Sequence, residues 1–181
     1  MEKYEIRLSG SGGQGVILAS IILADAAIEQ GLNAIQTQSY GPEARGGSSK
    51  AELIISREEI SYPKLRKANI LLSLTQNAYD KYIASLDKDG ILIVDEDIKL
   101  SGNYPVKTYR LPILKNAVEK FETAMVANII SVGAIYELIG EDVIDKEIMI
   151  RSISERVPPP TIQKNLEAFE EGINLIRGYY E

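Results

Sequence analysis

The sequence predicts a single α/β domain over residues 1–181, built as a mostly parallel sheet flanked by helices with a helical C-terminal layer. Three observations predict it. A short alternating strand runs into a glycine turn that opens a long apolar helix. Short apolar runs then alternate with helix-length segments. The last third carries only helical patterning.

Tyr4–Leu8 alternates and ends at the glycines, so it reads as the first strand. Gln14–Gln30 reads as a helix with little polar surface, buried on most sides and stopped by Gly31. Asn33–Gln38 follows as a second strand, which makes a βαβ unit with the first. Lys50–Ser56 is again strand-like. The link before it is short, rich in Gly and Pro and without a helical pattern. It leaves no room for a helical crossover, so this strand is expected to run antiparallel.

Asn69–Leu74 and Ile91–Val94 flank the helix-like Gln76–Ser85 as a second βαβ pattern, and Val106–Tyr109 reads as a last strand. Thr123–Ile139, Asp142–Ile153 and Thr161–Arg177 supply the helical layer. In the last of these, Ile162, Leu166, Phe169, Ile173 and Ile176 share one face. The order is Rossmann-like.

Composition narrows the function. The chain is 45% apolar and 25% charged with a net charge of −6, and has no Lys/Arg run of the kind that wraps a nucleic acid. The apolar runs Gln14–Ala24 and Thr123–Tyr136 are shorter than the ~20 residues of a membrane span. With no apolar signal core at the N-terminus, a cytoplasmic chain is expected. There is no cysteine and no histidine, which excludes a thiol nucleophile, a cysteine-held iron–sulfur cluster and the commonest general base. Any hard chemistry is expected in a cofactor or in another subunit.

Gly10-Ser11-Gly12-Gly13-Gln14-Gly15 fits the G-x-G-x-x-G spacing between a strand and a helix. Such a helix start offers free N–H groups and a positive dipole end to an anion. A dinucleotide site should also place a carboxylate at the end of the second strand. Here that region reads Ala34-Ile35-Gln36-Thr37-Gln38. An independent NAD(P)-dependent reductase therefore loses its support, and a phosphate-bearing ligand held by backbone groups remains. A pure interaction module, with the glycines serving only close packing, is the third reading.

The segment Tyr40-Gly41-Pro42-Glu43-Ala44-Arg45-Gly46-Gly47 should leave the second strand at the same sheet edge as the glycine loop. Arg45 suits a phosphate or carboxylate, Glu43 is its natural partner, and the composition also suits a protein contact. Asp95-Glu96-Asp97 reads as a solvated loop rather than a cation site, and Asn128 as a locally hydrogen-bonded residue on an apolar helix.

Taken together these residues resemble the gamma subunit, or gamma domain, of the 2-oxoacid:ferredoxin oxidoreductases, over nearly the whole chain. The resemblance rests on Gly10–Val16, on Ser39–Gly47, and on a softer pattern of Asn128, Gly133-Ala134, Lys164-Asn165, Ala168-Phe169 and Gly172. The family oxidatively decarboxylates a 2-oxo acid, passing the acyl group to coenzyme A and electrons to ferredoxin. Thiamine diphosphate sits between the alpha and beta subunits, and iron–sulfur clusters lie outside gamma.

The resemblance implies a coenzyme A-binding role for Gly10, Ser11, Gly12, Gly13, Gln14, Gly15 and Arg45. It implies an interface role for Tyr40, Gly41, Glu43, Arg45, Gly46 and Gly47 toward alpha and beta subunits, with delta as an optional further partner. It implies no catalytic residue and no metal ligand in this chain, so that the chain alone is inactive. Among substrates it favours 2-oxoglutarate, with pyruvate, 2-oxoisovalerate and indolepyruvate as alternatives.

Overall fold

The computed structural model describes residues 3–39, 48–102 and 104–179. Six strands form one sheet in the order β2-β3-β1-β4-β5-β6. They are β1 (Lys3–Ser11), β2 (Asn33–Ser39), β3 (Ser48–Ser56), β4 (Ala68–Ser73), β5 (Leu86–Asp95) and β6 (Lys107–Leu111). The pairs β1–β4, β4–β5 and β5–β6 are parallel, whereas β3 is antiparallel to both β1 and β2. The short link after β2 thus produces the expected reversal. It also inserts β3 between β1 and β2, so the first βαβ unit is split rather than contiguous.

The helices are α1 (Val16–Glu29), α2 (Gln76–Tyr82), α3 (Ile113–Phe121), α4 (Ala127–Ile139), α5 (Lys146–Arg156) and α6 (Ile162–Arg177). Strand alternation decides how they divide. Ile6, Leu8, Leu53, Ile55, Ile70, Leu72 and Ile93 face a large core shared with α1 and the C-terminal helices. Leu71, Leu92 and Val94 face the other way, onto a smaller core with Tyr79 and Ile83. Gln76–Ser85 is helical as expected, its last residues Ile83–Ser85 forming a 3-10 turn. Helix α3 was not anticipated. The segment expected as one helix over Thr123–Ile139 is a 3-10 turn, Ala124–Val126, followed by α4.

Helix α4 is apolar all round because it is buried all round, packed against α1, α3 and α6. It crosses α6 through Gly133 and Gly172, where each glycine lies directly on the other helix's backbone. Near its end Tyr136 stacks tilted on Phe169, with ring centroids 5.2 Å apart. The Tyr136 hydroxyl is buried without a hydrogen-bond partner among the described residues. Burial, reinforced by Glu141, Asp145 and Glu137, pushes its pKa up to about 12.

Replacing Tyr136 by Phe removes an unpaired buried polar group and keeps the ring, so it should leave stability unchanged or raise it by about 1 kcal/mol. Folding favours the neutral phenol. That contribution is whole below the ordinary value of 10.0 and is lost as pH rises toward about 12. Denaturant melts across this range should fall less steeply for the Phe variant, and an equal slope would refute the assignment.

Candidate functional site

Strand β1 delivers the glycines to the carboxyl edge of the sheet, beside β4. From there α1 leaves β1 for one face and α2 leaves β4 for the other, so the loop stands at a topological switch point. Its floor is polar and closed. Ser9 Oγ donates to the Leu72 carbonyl at 2.8 Å and lies 3.0 Å from Ser73 Oγ, while Leu74 N–H donates to the Ser9 carbonyl at 2.9 Å.

The loop is shaped by its own residues. Ser11 N–H donates to Gln14 Oε1 at 2.7 Å, and Gln14 N–H donates back to the Ser11 carbonyl at 3.3 Å. A Cβ at residue 10 would lie 2.4 Å from Gln14 Oε1, so Gly10 makes room for the side chain that closes the turn. The Gln14 carboxamide oxygen is therefore engaged inside the loop.

Gly13 and Gly15 have φ of +89° and +72°, the left-handed region that side chains disfavour. Gly12 and Gly13 are exposed, and nothing lies within 4 Å of a Cβ placed on Gly13. Gly15 caps α1 with no side-chain acceptor, and no acidic residue stands in the first turn. The result is an open backbone surface at an unneutralised helix start, which is chemistry for an anion.

Tyr40, Gly41, Glu43, Arg45, Gly46 and Gly47 lie outside the described residues. Their flanks are placed: Ser48 pairs with Ser11, and Lys50 pairs with both Ser9 and Ser39. The segment therefore leaves and re-enters the sheet at the edge that bears the glycine loop. In the middle of β2, Gln36 Nε2 donates to Ser20 Oγ at 3.0 Å, which ties to α1 a residue of the stretch where a ribose-binding carboxylate would stand.

Asn128, far along the chain, meets the loop directly. A Cβ at Gly15 would sit 2.6 Å from Asn128 Nδ2, so the glycine permits this contact. The Asn128 Oδ1 accepts from Ile129 N–H at 2.8 Å, the local bond expected of it. Asp95 is buried at the end of β5 rather than solvated, which corrects the sequence reading for the first residue of its run. Its carboxylate accepts from Leu114 N–H at 2.9 Å at the start of α3 and from Asp97 N–H at 3.3 Å, while burial pushes its pKa up. No group of side chains suited to a metal ion occurs among the described residues.

Two features escaped the sequence. Arg7, which is buried, and Glu52, which is half-buried, form an ion pair between β1 and β3. At the opposite sheet edge, Lys3, Lys64, Arg66 and Lys67 line a cleft of about 500 Å³, with Glu5 and Asp87 the acidic residues among its lining. Neither has a short sequence signature. The first joins residues 45 apart, and the second gathers three separate segments.

A family model described as pyruvate ferredoxin/flavodoxin oxidoreductase matches residues 5–175. The chain is 45% identical over 179 residues to the 2-oxoglutarate synthase subunit KorC of Methanocaldococcus jannaschii, covering 97% of this chain and 95% of that protein. The keto/oxoacid ferredoxin oxidoreductase gamma subunit of Geobacter sulfurreducens superposes with a TM-score of 0.85 at 42% identity, covering 97% of this chain and 99% of that one. A 2-oxoglutarate:ferredoxin oxidoreductase from Magnetococcus marinus, solved with 2-oxoglutarate, coenzyme A and succinyl-CoA bound, shares the fold. It superposes with a TM-score of 0.87 at 20% identity over 98% of this chain and 32% of that one.

Proposed function

The chain belongs to the pyruvate ferredoxin/flavodoxin oxidoreductase family, and from that premise we propose that it is the gamma subunit of a 2-oxoglutarate:ferredoxin oxidoreductase. The observation that carries the substrate is the near full-length similarity to a 2-oxoglutarate synthase subunit. Its part in the complex is to bind coenzyme A and to hold the assembly together in the cytoplasm.

The backbone N–H groups of Gly12, Gly13 and Gly15 face a coenzyme phosphate, drawn there by the uncapped start of α1, while Gln14 N–H holds the Ser11 carbonyl and shapes the turn. Arg45 adds a cation at the same edge, and the segment from Tyr40 to Gly47 meets the subunits that carry the thiamine diphosphate. When bound there, thiamine diphosphate supplies the carbanion chemistry of decarboxylation and iron–sulfur clusters take the electrons. Without Cys or His this chain offers an iron–sulfur cluster no ligand set. Its residues bind and position.

Gly13→Asp tests the loop. The site is open, so the side chain fits, but it sets a negative charge where the phosphate is to lie. Calorimetric titration of coenzyme A into the reconstituted complex should show affinity falling at least about tenfold, a loss of roughly 1.4 kcal/mol. Gly13→Asn carries a similar backbone strain without the charge and should lose much less. Unchanged affinity in the Asp variant would remove the loop from coenzyme binding.

A further inference from the structure

The cleft at the amino edge of the sheet is built by a simple local device. Between β3 and β4 the chain reads Tyr62-Pro63-Lys64-Leu65-Arg66-Lys67. Leu65 is buried in the smaller core, which anchors the segment and leaves Lys64, Arg66 and Lys67 exposed. Lys3, at the start of β1, joins them in lining the cleft of about 500 Å³. Lys3 is held by Glu5 at 3.0 Å, so these two neutralise each other. Lys64 and Lys67 have no ion pair among the described residues, and Arg66 has the Tyr62 ring, 5.2 Å from its guanidinium. Asp87 is the acidic lining residue that remains, against three cations.

A chain of net charge −6 repels acidic macromolecules at a distance, so a cationic cleft is where it can accept one. The lining decides the kind of ligand. Its cations are all exposed to solvent, so no single contact is desolvated and strong. Affinity must come from several contacts spread along an extended anion, which is what an acidic polypeptide offers. Tyr62, half-exposed beside Arg66, adds the aromatic surface common in protein contacts. Apart from Tyr62 the lining is polar, whereas permanent subunit interfaces are apolar. That chemistry suits a partner which docks and leaves.

We propose that this cleft docks an acidic, Asp/Glu-rich segment of a separate protein that binds the assembled complex reversibly. The glycine loop lies at the other end of β1, nine residues and about 25 Å away. That is well beyond the screening length of about 8 Å at physiological salt. Docking at the amino edge therefore leaves the carboxyl edge free, and the cations of the cleft do not act on an anion held there.

The test reads the fluorescence anisotropy of a labelled oligoglutamate peptide on the full chain and on the reconstituted complex. Wild type should bind it at low salt and lose at least about tenfold in affinity by about 0.3 M NaCl. Lys64→Glu/Lys67→Glu should weaken binding at least about tenfold. Lys99→Glu/Lys115→Glu changes the net charge equally at exposed sites beyond the carboxyl ends of β5 and β6, and should weaken it less than about twofold. Coenzyme A affinity of the complex should be the same with and without Lys64→Glu/Lys67→Glu, whatever Gly13→Asp does. Equal weakening by the two double variants would leave only a general charge effect and overturn the proposal. Tripolyphosphate displacing the peptide and binding more tightly would overturn it in favour of a small polyanion. Binding to the chain but not to the complex would overturn it too, since a subunit would then cover the cleft.

Discussion

Gly172→Ala should lower the melting temperature by about 6–12 °C, a loss of roughly 3 kcal/mol in a domain of this size. The added Cβ would lie 2.0 Å from the Ile130 carbonyl oxygen and 2.8 Å from the Ala134 nitrogen. Both are helix backbone, so no rotamer change relieves the overlap and the two helices must part. Gly133→Ala meets the Phe169 carbonyl oxygen at 2.1 Å and should behave alike. Gly178→Ala is the control. The nearest atom stands at 3.3 Å from its Cβ position and its φ is −64°, so stability should stay within about 0.5 kcal/mol. Equal melts for the Gly172 and Gly178 variants would show that α4 and α6 do not depend on this crossing.

That crossing shows where the sequence was legible and where it was not. The strand, glycine turn and helix at the N-terminus were readable because each obeys its own local rule: alternation, left-handed backbone and an apolar helical run. The antiparallel β3 followed from the length of one link. Helix α3 went unread although Ile113, Ala117 and Phe121 recur at spacings of four. It is only nine residues long, little more than two turns, so its period has few repeats to show itself.

Gly133 and Gly172 stand in the sequence as parts of a pattern, but their physical reason is a contact between helices, which no local rule contains. A cleft lined by Leu18, Met125, Val157 and Lys164 is hidden for the same cause. Its residues come from positions near 18, 125, 157 and 164, and only packing makes them neighbours. The glycine loop, whose chemistry is carried by consecutive backbone groups, was visible as a string.

Glu52→Gln should cost about 3 kcal/mol, because it leaves the Arg7 charge buried without its partner. Arg7 and Glu52 are 5% and 12% exposed. Arg7 donates to Glu52 Oε1 through Nη2 at 2.6 Å and Nε at 2.9 Å. Lys50 adds a third donor at 2.8 Å, Ser85 Oγ takes Arg7 Nη1, and the Tyr82 ring lies 5.7 Å from the guanidinium. Burial alone would raise the Glu52 carboxyl. The hydrogen bonds and charges of Lys50 and Arg7 outweigh it and hold the group below its ordinary value.

A lowered carboxyl stabilises the fold above its unfolded pKa, and that stability is lost as pH falls through the folded one. Acid melts of the wild type should therefore steepen below about pH 4.3, and those of Glu52→Gln should steepen less. The double variant Arg7→Met/Glu52→Leu removes both charges and keeps the volume, so it should recover to within about 1 kcal/mol of wild type. It should nonetheless weaken register, since Arg7 stands directly opposite Glu52 and their attraction selects this pairing of β1 with β3.

Lys50, which completes the cluster, pairs with Ser9 and Ser39 near the two ends of the 40–47 segment. The double variant should thus fold with near-native stability but bind the partner subunits more weakly than the wild type. A double variant as unstable as Glu52→Gln would mean that the pair is needed for folding itself. One that assembles normally would leave the cluster no part in setting the segment's base.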